Sequence, residues 1–217
     1  MYFLVPDILY GAQPGIVALF KMGKIWMWIL LLVSIIALAY ILERFYFFIK
    51  IKPFSSDLFL KVSKLNSLSK LKNMLKKEKT LIARILYESL NNSDTRDKFE
   101  DKIERLTNVY VNELGKGLNI LATIGSIAPL IGFLGTVAGM ISAFSSIANA
   151  NNVSPRLVAS GIYTALITTA AGLIIAIPSI AMYNFFVHKI DNFISEIEKI
   201  VNIIISKDFF NEDKNKT

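Results

Sequence analysis

Two stretches of this chain carry no charge: GLNILATIGSIAPLIGFLGTVAGMISAFSSIANANNVSP, residues 117–155, and LVASGIYTALITTAAGLIIAIPSIAMYNFFV, residues 157–187. Arg156 alone separates them, and they run for 39 and 31 residues without Asp, Glu, Lys, Arg or His. A bilayer core about 30 Å thick needs about 20 apolar residues in a helix, so each stretch is long enough to span. Charge is excluded because it is costly at membrane depth. Both stretches are rich in Gly, Ala, Ser and Thr, with Pro129 inside one and Pro178 inside the other. Lipid-facing helices do not need such residues, whereas helices that pack backbone to backbone or line a polar path do.

Gly125, Gly132 and Gly139 are seven apart and, with Thr136, share roughly one helix face; Gly135 and Gly139 add a small-xxx-small pair. Such a face lets a neighbouring backbone approach closely, either within one subunit or around a central pore or partner helix. In the second stretch Ser160, Thr164, Thr168 and Gly172 are spaced four apart, with Thr169 beside them and Ala165 and Ala176 on its side. Each hydroxyl can bond the carbonyl one turn back in its own helix. Alternatively, the hydroxyl stripe faces Thr136 across the bundle and lines a hydrated ion path. Pro129 and Pro178 each remove a helical hydrogen bond and are kink sites. A proton relay usually needs a carboxylate or histidine at depth, and neither stretch holds one. An ion crossing here would need a titrating group from another chain.

The rest of the composition agrees with a membrane protein. Of 217 residues 53% are hydrophobic, and the mean hydropathy is +0.49, outside the range of a soluble domain. The formal charge of +7 is unevenly placed: residues 49–116 hold 15 Lys/Arg and 9 Asp/Glu, and most remaining basic residues lie in the last 30 positions. That is the positive-inside pattern, and it argues against nucleic-acid binding, because no aromatic and basic residues interleave on a soluble module. With no cysteine, disulfide and thiol chemistry are excluded. His188 stands beside Lys189 with no second ligand near, which makes it interfacial rather than metal-binding. An enzyme would need a nucleophile with a base, or metal ligands, and the spans offer neither. The chain is therefore read as a non-enzyme without a cofactor.

The predicted fold is an all-α membrane protein with three transmembrane helices, the second and third extended into a cytoplasmic helical domain. Residues 1–24 form a periplasmic N-terminal segment. Residues 25–48 are the first transmembrane helix, with Trp26 and Trp28 at its start and Tyr40, Phe45 and Tyr46 at its end, as aromatic belts. Ala37-Leu38-Ala39 mimics a signal-peptidase site, but more positive charge follows the span than precedes it, so it reads as an uncleaved anchor.

Residues 49–116 are the cytoplasmic helical domain. Leu58, Val62, Leu65, Leu68, Leu71 and Leu75 form one apolar helical stripe, and Leu81–Leu90 a second piece. Asn91–Asp94 break the chain, with Ser93 or Asp94 as the next cap. Phe99, Ile103, Leu106, Tyr110 and Leu114 then recur at near-heptad spacing; a helix unbroken from Thr95 to Ile147 would be about 80 Å long. Residues 117–147 are the second transmembrane helix and 148–155 a periplasmic loop. Pro155 sits at the first position of the next helix and Ser154 at its cap. Residues 156–187 are the third transmembrane helix. Residues 188–217 are a cytoplasmic helical tail with Ile190, Phe193, Ile197, Ile200 and Ile204 in helical register, ending in a disordered NEDKNKT. The N-terminus is then periplasmic and the C-terminus cytoplasmic.

LATIGSIAPLIGFLGTVAGMISAF (121–144) resembles the second span of ExbB and TolQ, the membrane subunits of bacterial ion-driven motors. SGIYTALITTAAGLIIAIPSIAMYNFF (160–186) resembles their third span, and SIIALAYILERF (34–45) the end of their first. The resemblance covers all three spans, about half of the chain. It implies an inner-membrane homo-oligomer, a pentamer, around two copies of a single-span partner, ExbD or TolR. The partner's membrane aspartate carries the ion, and its periplasmic end passes work to TonB or TolA. By position Thr136 and Thr169 match the two threonines that face that aspartate, and Pro129 and Pro178 match the family's span prolines. One position departs: where the family has a glutamate in Gly-Ile-Ala-Glu-Ala-Leu, this chain has Thr164 in Gly161-Ile162-Tyr163-Thr164-Ala165-Leu166. Either the partner's aspartate suffices for a proton, or hydroxyls and freed carbonyls serve sodium. MotA-like stator subunits are related but generally have four spans. A non-motor transport or scaffold protein is the remaining alternative, and a permease should carry a substrate site within the chain.

Overall fold

The computed structural model describes residues 20, 23–51, 57–65, 67–91, 93, 95–149 and 155–207. Among them there is no strand. Seven helices of the described residues follow one another: α1 (Lys24–Ile51), α2 (Leu58–Ser63), α3 (Leu68–Lys77), α4 (Leu81–Asn91), α5 (Arg96–Gly115), α6 (Leu118–Ala148) and α7 (Pro155–Ser206). Three segments are long and apolar enough to cross a membrane: Ile25–Ile51, Leu118–Ala148 and Gly161–Ser206. The protein is an all-α membrane protein. Residues 1–19 and 208–217, assigned above to the N-terminal segment and the end of the tail, lie outside the described residues, as does Ser154.

Contacts divide the chain into two units, Met1–Ala39 with Ile120–Ala181, and Tyr40–Asn119 with Met182–Thr217. In the first, Leu30 of α1 meets Ala128 of α6 and Ala176 of α7, flanked by Val33, Ile131, Ala171 and Ile175. Two of the three central residues are alanines, because close approach of the helices leaves little room for a side chain. Between helices in lipid that closeness matters more than apolar burial, since lipid is as apolar as the core. Large apolar side chains point outward instead, among them Trp28, Leu32, Leu130, Phe133, Ile141, Leu166 and Ile174. They suit lipid or another chain.

The second unit has a core of the soluble kind. Leu58, Val62, Leu71, Leu75, Ile82, Ile85, Leu86, Leu90 and Phe99 are all buried. Burying side chains of this size out of water contributes about 1.5–3 kcal/mol each. On α7 the buried residues are Phe186, Ile190, Phe193, Ile197, Ile200 and Ile204, alternating by four and three in the manner of a coiled-coil seam. Lys207, just past that helix, donates to the carbonyls of Ser63 and, at 2.7 Å, Leu65. A cation thus meets the free carbonyls at the end of α2, where the helix dipole is negative. The pairs Arg84–Glu88, Arg96–Glu100 and Arg105–Asp101 are exposed i,i+4 contacts, which contribute only about 0.3–0.5 kcal/mol each.

Three sequence expectations need correction here. The stripe from Leu58 to Leu75 is not one helix; α2 ends at Ser63 and α3 begins at Leu68. Ser67 is extended there, with ψ 132°, and its hydroxyl lies 3.0 Å from that of Ser69. Ser competes for local backbone groups, so Ser67 favours a break in a helix that the leucine spacing alone would continue. Nor is the helix from Thr95 into the second span unbroken. It divides at Lys116 and Gly117, into α5 of 20 residues and α6 of 31. Gly117 has φ 81°, the left-handed region that glycine enters without strain. The residue at the α5 cap is Thr95 rather than Ser93 or Asp94, and it makes no side-chain cap bond.

Candidate functional site

The residues singled out in the two uncharged stretches converge on the contact between α6 and α7, within the first unit. Gly132 and Gly172 make the closest approach. A methyl group at Gly132 would stand 2.7 Å from the Thr168 carbonyl oxygen and 3.0 Å from Thr169 Cα. One at Gly172 would stand 2.5 Å from the Ala128 oxygen and 3.2 Å from Gly132 Cα. Backbone therefore touches backbone along this line. Gly135 lies against the Thr168 side chain, Gly139 against Ala165, and Gly125 under Ile180. Each of these five glycines faces an atom of the other helix of the same chain. Gly161, which spacing did not single out, meets Ala143 in the same way.

That packing sets the hydroxyls. Thr136 on α6 donates to the Phe133 carbonyl at 2.5 Å, and its oxygen lies 3.2 Å from that of Thr169 on α7. Both threonines are half-buried. Since Thr136 spends its proton on Phe133, the Thr169 hydroxyl is the donor between them. Thr169 then keeps its own lone pairs open. A hydroxyl both donates and accepts, so rotation lets the pair serve a carboxyl group in either protonation state.

Thr168, grouped with the ion path by its spacing, is placed otherwise. It is buried, donates to the Ala165 carbonyl at 2.7 Å, and lies 3.2 Å from the Gly132 carbonyl. Enclosed between the two backbones, it reaches no path. Its neighbour in sequence, Thr169, also meets α6 but about 100° round the helix, where it reaches Thr136 instead. The side chains of Ser160 and Thr164 lie outside the described residues. Pro129 and Pro178 sit inside α6 and α7, which continue through them. Each withdraws the N–H that the carbonyl four residues earlier would accept, at Gly125 and Ile174.

A second constellation, in the second unit, was not foreseen. Arg44 is buried, pairs with Glu43, and donates from Nη1 to the Glu113 carbonyl at 3.3 Å. One turn earlier Tyr40 covers Gly117, where a methyl group would come within 3.0 Å of the ring. Tyr40 and Arg44 thus hold the α5–α6 joint from one face of α1. The signal available was Glu43-Arg44 directly after an apolar run, together with a glycine at the edge of an uncharged one.

Fold and site define a three-span helical membrane protein whose second and third spans pack through glycine and meet at a threonine pair. Residues 77–199 match the model of the MotA/TolQ/ExbB proton channel family, and the chain belongs to that family. It is 34% identical over 155 residues to the biopolymer transport protein ExbB of Pseudomonas putida, covering 65% of this chain and 47% of that protein. To ExbB of Salmonella typhimurium it is 34% identical over 125 residues, 53% of this chain and 51% of the relative. To ExbB of Aquifex aeolicus it is 46% identical over 78 residues, 36% and 53% respectively. The chain spans about half the length of these curated relatives.

Proposed function

We propose that this chain is the ExbB/TolQ-type subunit of a motor in the bacterial inner membrane, driven by an ion-motive force. The Thr136–Thr169 pair carries the proposal, because it sets two hydroxyls at a helix contact that has no titrating group of its own. A single-span partner of the ExbD/TolR kind supplies the missing carboxylate, and five copies of this chain surround two of that partner. The output passes to a TonB- or TolA-like protein. The basic residues of 49–116 support a cytoplasmic placement for that segment and the tail, with the N-terminus periplasmic.

The coupling ion is first read as a proton carried by the partner's aspartate alone. Sodium is the second reading, favoured by Thr164 in place of the family's glutamate. Co-expression with the neighbouring small single-span protein, followed by the mass of the purified complex, tests the assembly. A chain that stays monomeric and captures no such partner would sink it. Replacing sodium by potassium at constant membrane potential separates the ions: proton coupling survives the exchange and is stopped by a protonophore, whereas sodium coupling falls and Thr164→Val weakens it. A cysteine in place of Lys72 should resist an impermeant thiol reagent in intact cells while one in place of Asn151 reacts. The reverse pattern inverts the topology.

A further inference from the structure

The second unit carries an open pocket of about 990 Å³ that the motor reading does not use. Its wall runs from Glu43 to Ile51 on α1, across the α3–α4 link, to Tyr110 and Glu113 on α5. Three features decide what it suits. The first is depth. The segment Ile25–Ile51 is 27 residues long, which at about 1.5 Å per residue makes about 40 Å, the thickness of a bilayer with its headgroup layers. The wall begins at Glu43, where the apolar run ends, so it lies at headgroup level.

The second feature is charge. Lys50, Lys76 and Lys79 line the cavity, and among the described residues none has a carboxylate partner. The other charged groups are mostly engaged: Glu43 with Arg44, Glu78 with Lys61, and Arg84 with Glu88 at 3.0 Å. Glu113 is the acidic group on the wall without an ion pair, so three ammonium groups face one carboxylate. The third feature is the apolar lining from Phe47 and Ile51, which a soluble phosphate compound would leave uncovered.

We propose that this cavity binds the phosphate-bearing headgroup of an anionic phospholipid, with Lys50, Lys76 and Lys79 on the headgroup and Phe47 and Ile51 against the start of the acyl chains. The proposal requires only that α1 lies in the membrane. It is read by lipid binding, so it can fail while the motor reading stands, and the reverse.

The test uses the full chain purified in detergent as its native assembly. Native mass spectrometry follows retention of added dioleoyl phosphatidylglycerol against dioleoyl phosphatidylcholine. The wild type should retain the anionic lipid preferentially. A basic side chain near an anionic leaflet is worth about a fivefold factor, so Lys50→Gln, Lys76→Gln and Lys79→Gln together should weaken retention on the order of a hundredfold. Lys98→Gln with Lys102→Gln, on α5 away from the cavity, should leave it unchanged. Equal retention by the triple variant and the wild type overturns the proposal. So does displacement of the lipid by glycerol 1-phosphate, which would make the site one for soluble phosphate. Should the triple variant lose its fold, benzoylphenylalanine in place of Tyr87 in the otherwise native chain decides. A lipid adduct after irradiation supports the proposal, and an adduct to a second copy of the chain overturns it.

Discussion

Thr136 on α6 and Thr169 on α7 hold their hydroxyl oxygens 3.2 Å apart, and only one of the two also bonds a carbonyl of its own helix. A hydroxyl that merely satisfied its helix would contribute little, on the order of 1 kcal/mol. Thr→Val keeps the β-branched shape and deletes the hydroxyl. Under the proposed function, Thr136→Val and Thr169→Val should each assemble at wild-type levels and lose energy transduction, measured as partner-dependent import or envelope integrity. Full activity in both variants would remove the pair from the ion path and leave the family membership untouched.

Thr168 gives the contrasting case. Its hydroxyl lies between the Ala165 and Gly132 carbonyls in a buried contact. Thr168→Val should cost about 0.5–1.5 kcal/mol of stability by removing a buried hydrogen bond. Thr168→Ser should restore most of that. Thermal unfolding in detergent measures both, and transduction should follow the amount of folded protein. A Thr168→Val chain that is stable but inactive would return this residue to the ion path.

Gly132 and Gly172 offer a test of the seam itself. A methyl group on either would sit under 3 Å from a backbone carbonyl oxygen of the facing helix, and backbone cannot swing aside as a side chain can. Gly132→Leu should therefore prevent the chain from accumulating in the membrane at all, rather than yield folded monomers. Gly139→Ala, where the nearest atom is Ala165 Cβ at 3.2 Å, should be tolerated far better. Immunoblots of membrane fractions distinguish the outcomes. Folded, monomeric Gly132→Leu would instead place this glycine at a subunit interface.

The features legible in the sequence were those with a period. Charge-free length marked the spans. The four-and-three spacing from Ile190 to Ile204 marked a buried α7 face, and the glycine sevens marked a helix contact. Features that depend on one residue were hidden. Nothing periodic reports that a helix ends at Ser63 or that Gly117 turns left-handed, because a local conformational preference competes with a pattern spread over several turns. The sides taken by Thr168 and Thr169 were equally hidden. Adjacent residues share every compositional property, and only the position of the Gly132 and Gly172 contact decides which of them is enclosed.

At the α5–α6 joint, Gly117 combines a positive φ with a covered Cα. Gly117→Ala should destabilise the chain by about 1–2 kcal/mol from the left-handed backbone alone, with a further loss from collision with the Tyr40 ring. Tyr40→Ala in the same chain should recover the collision and not the backbone cost. A double-mutant cycle on thermal stability separates them. Strict additivity would show that the ring and the glycine do not interact.

The last prediction concerns Arg44. Its guanidinium is buried, reaches the Glu113 carbonyl at 3.3 Å, and lies 4.6 Å from the centre of the Phe47 ring. Its carboxylate partner Glu43 is about half exposed, so water can replace the ion pair when the arginine is removed. The pair should therefore matter little and the bond to the joint should matter more. Glu43→Gln should cost less than Arg44→Met, because a glutamine and water can still meet the guanidinium from the exposed side. Arg44→Met, which keeps much of the apolar stem, should cost about 1.5–3 kcal/mol, the range for a hydrogen bond to a charged group. Arg44→Lys should lie nearer to methionine than to the wild type, because an ammonium cannot reach Glu43 and the Glu113 carbonyl with the geometry of a planar fork. Thermal unfolding of the three variants in one detergent orders them. A Glu43→Gln loss as large as that of Arg44→Met would show that the ion pair, not the backbone bond at the joint, is what Arg44 contributes.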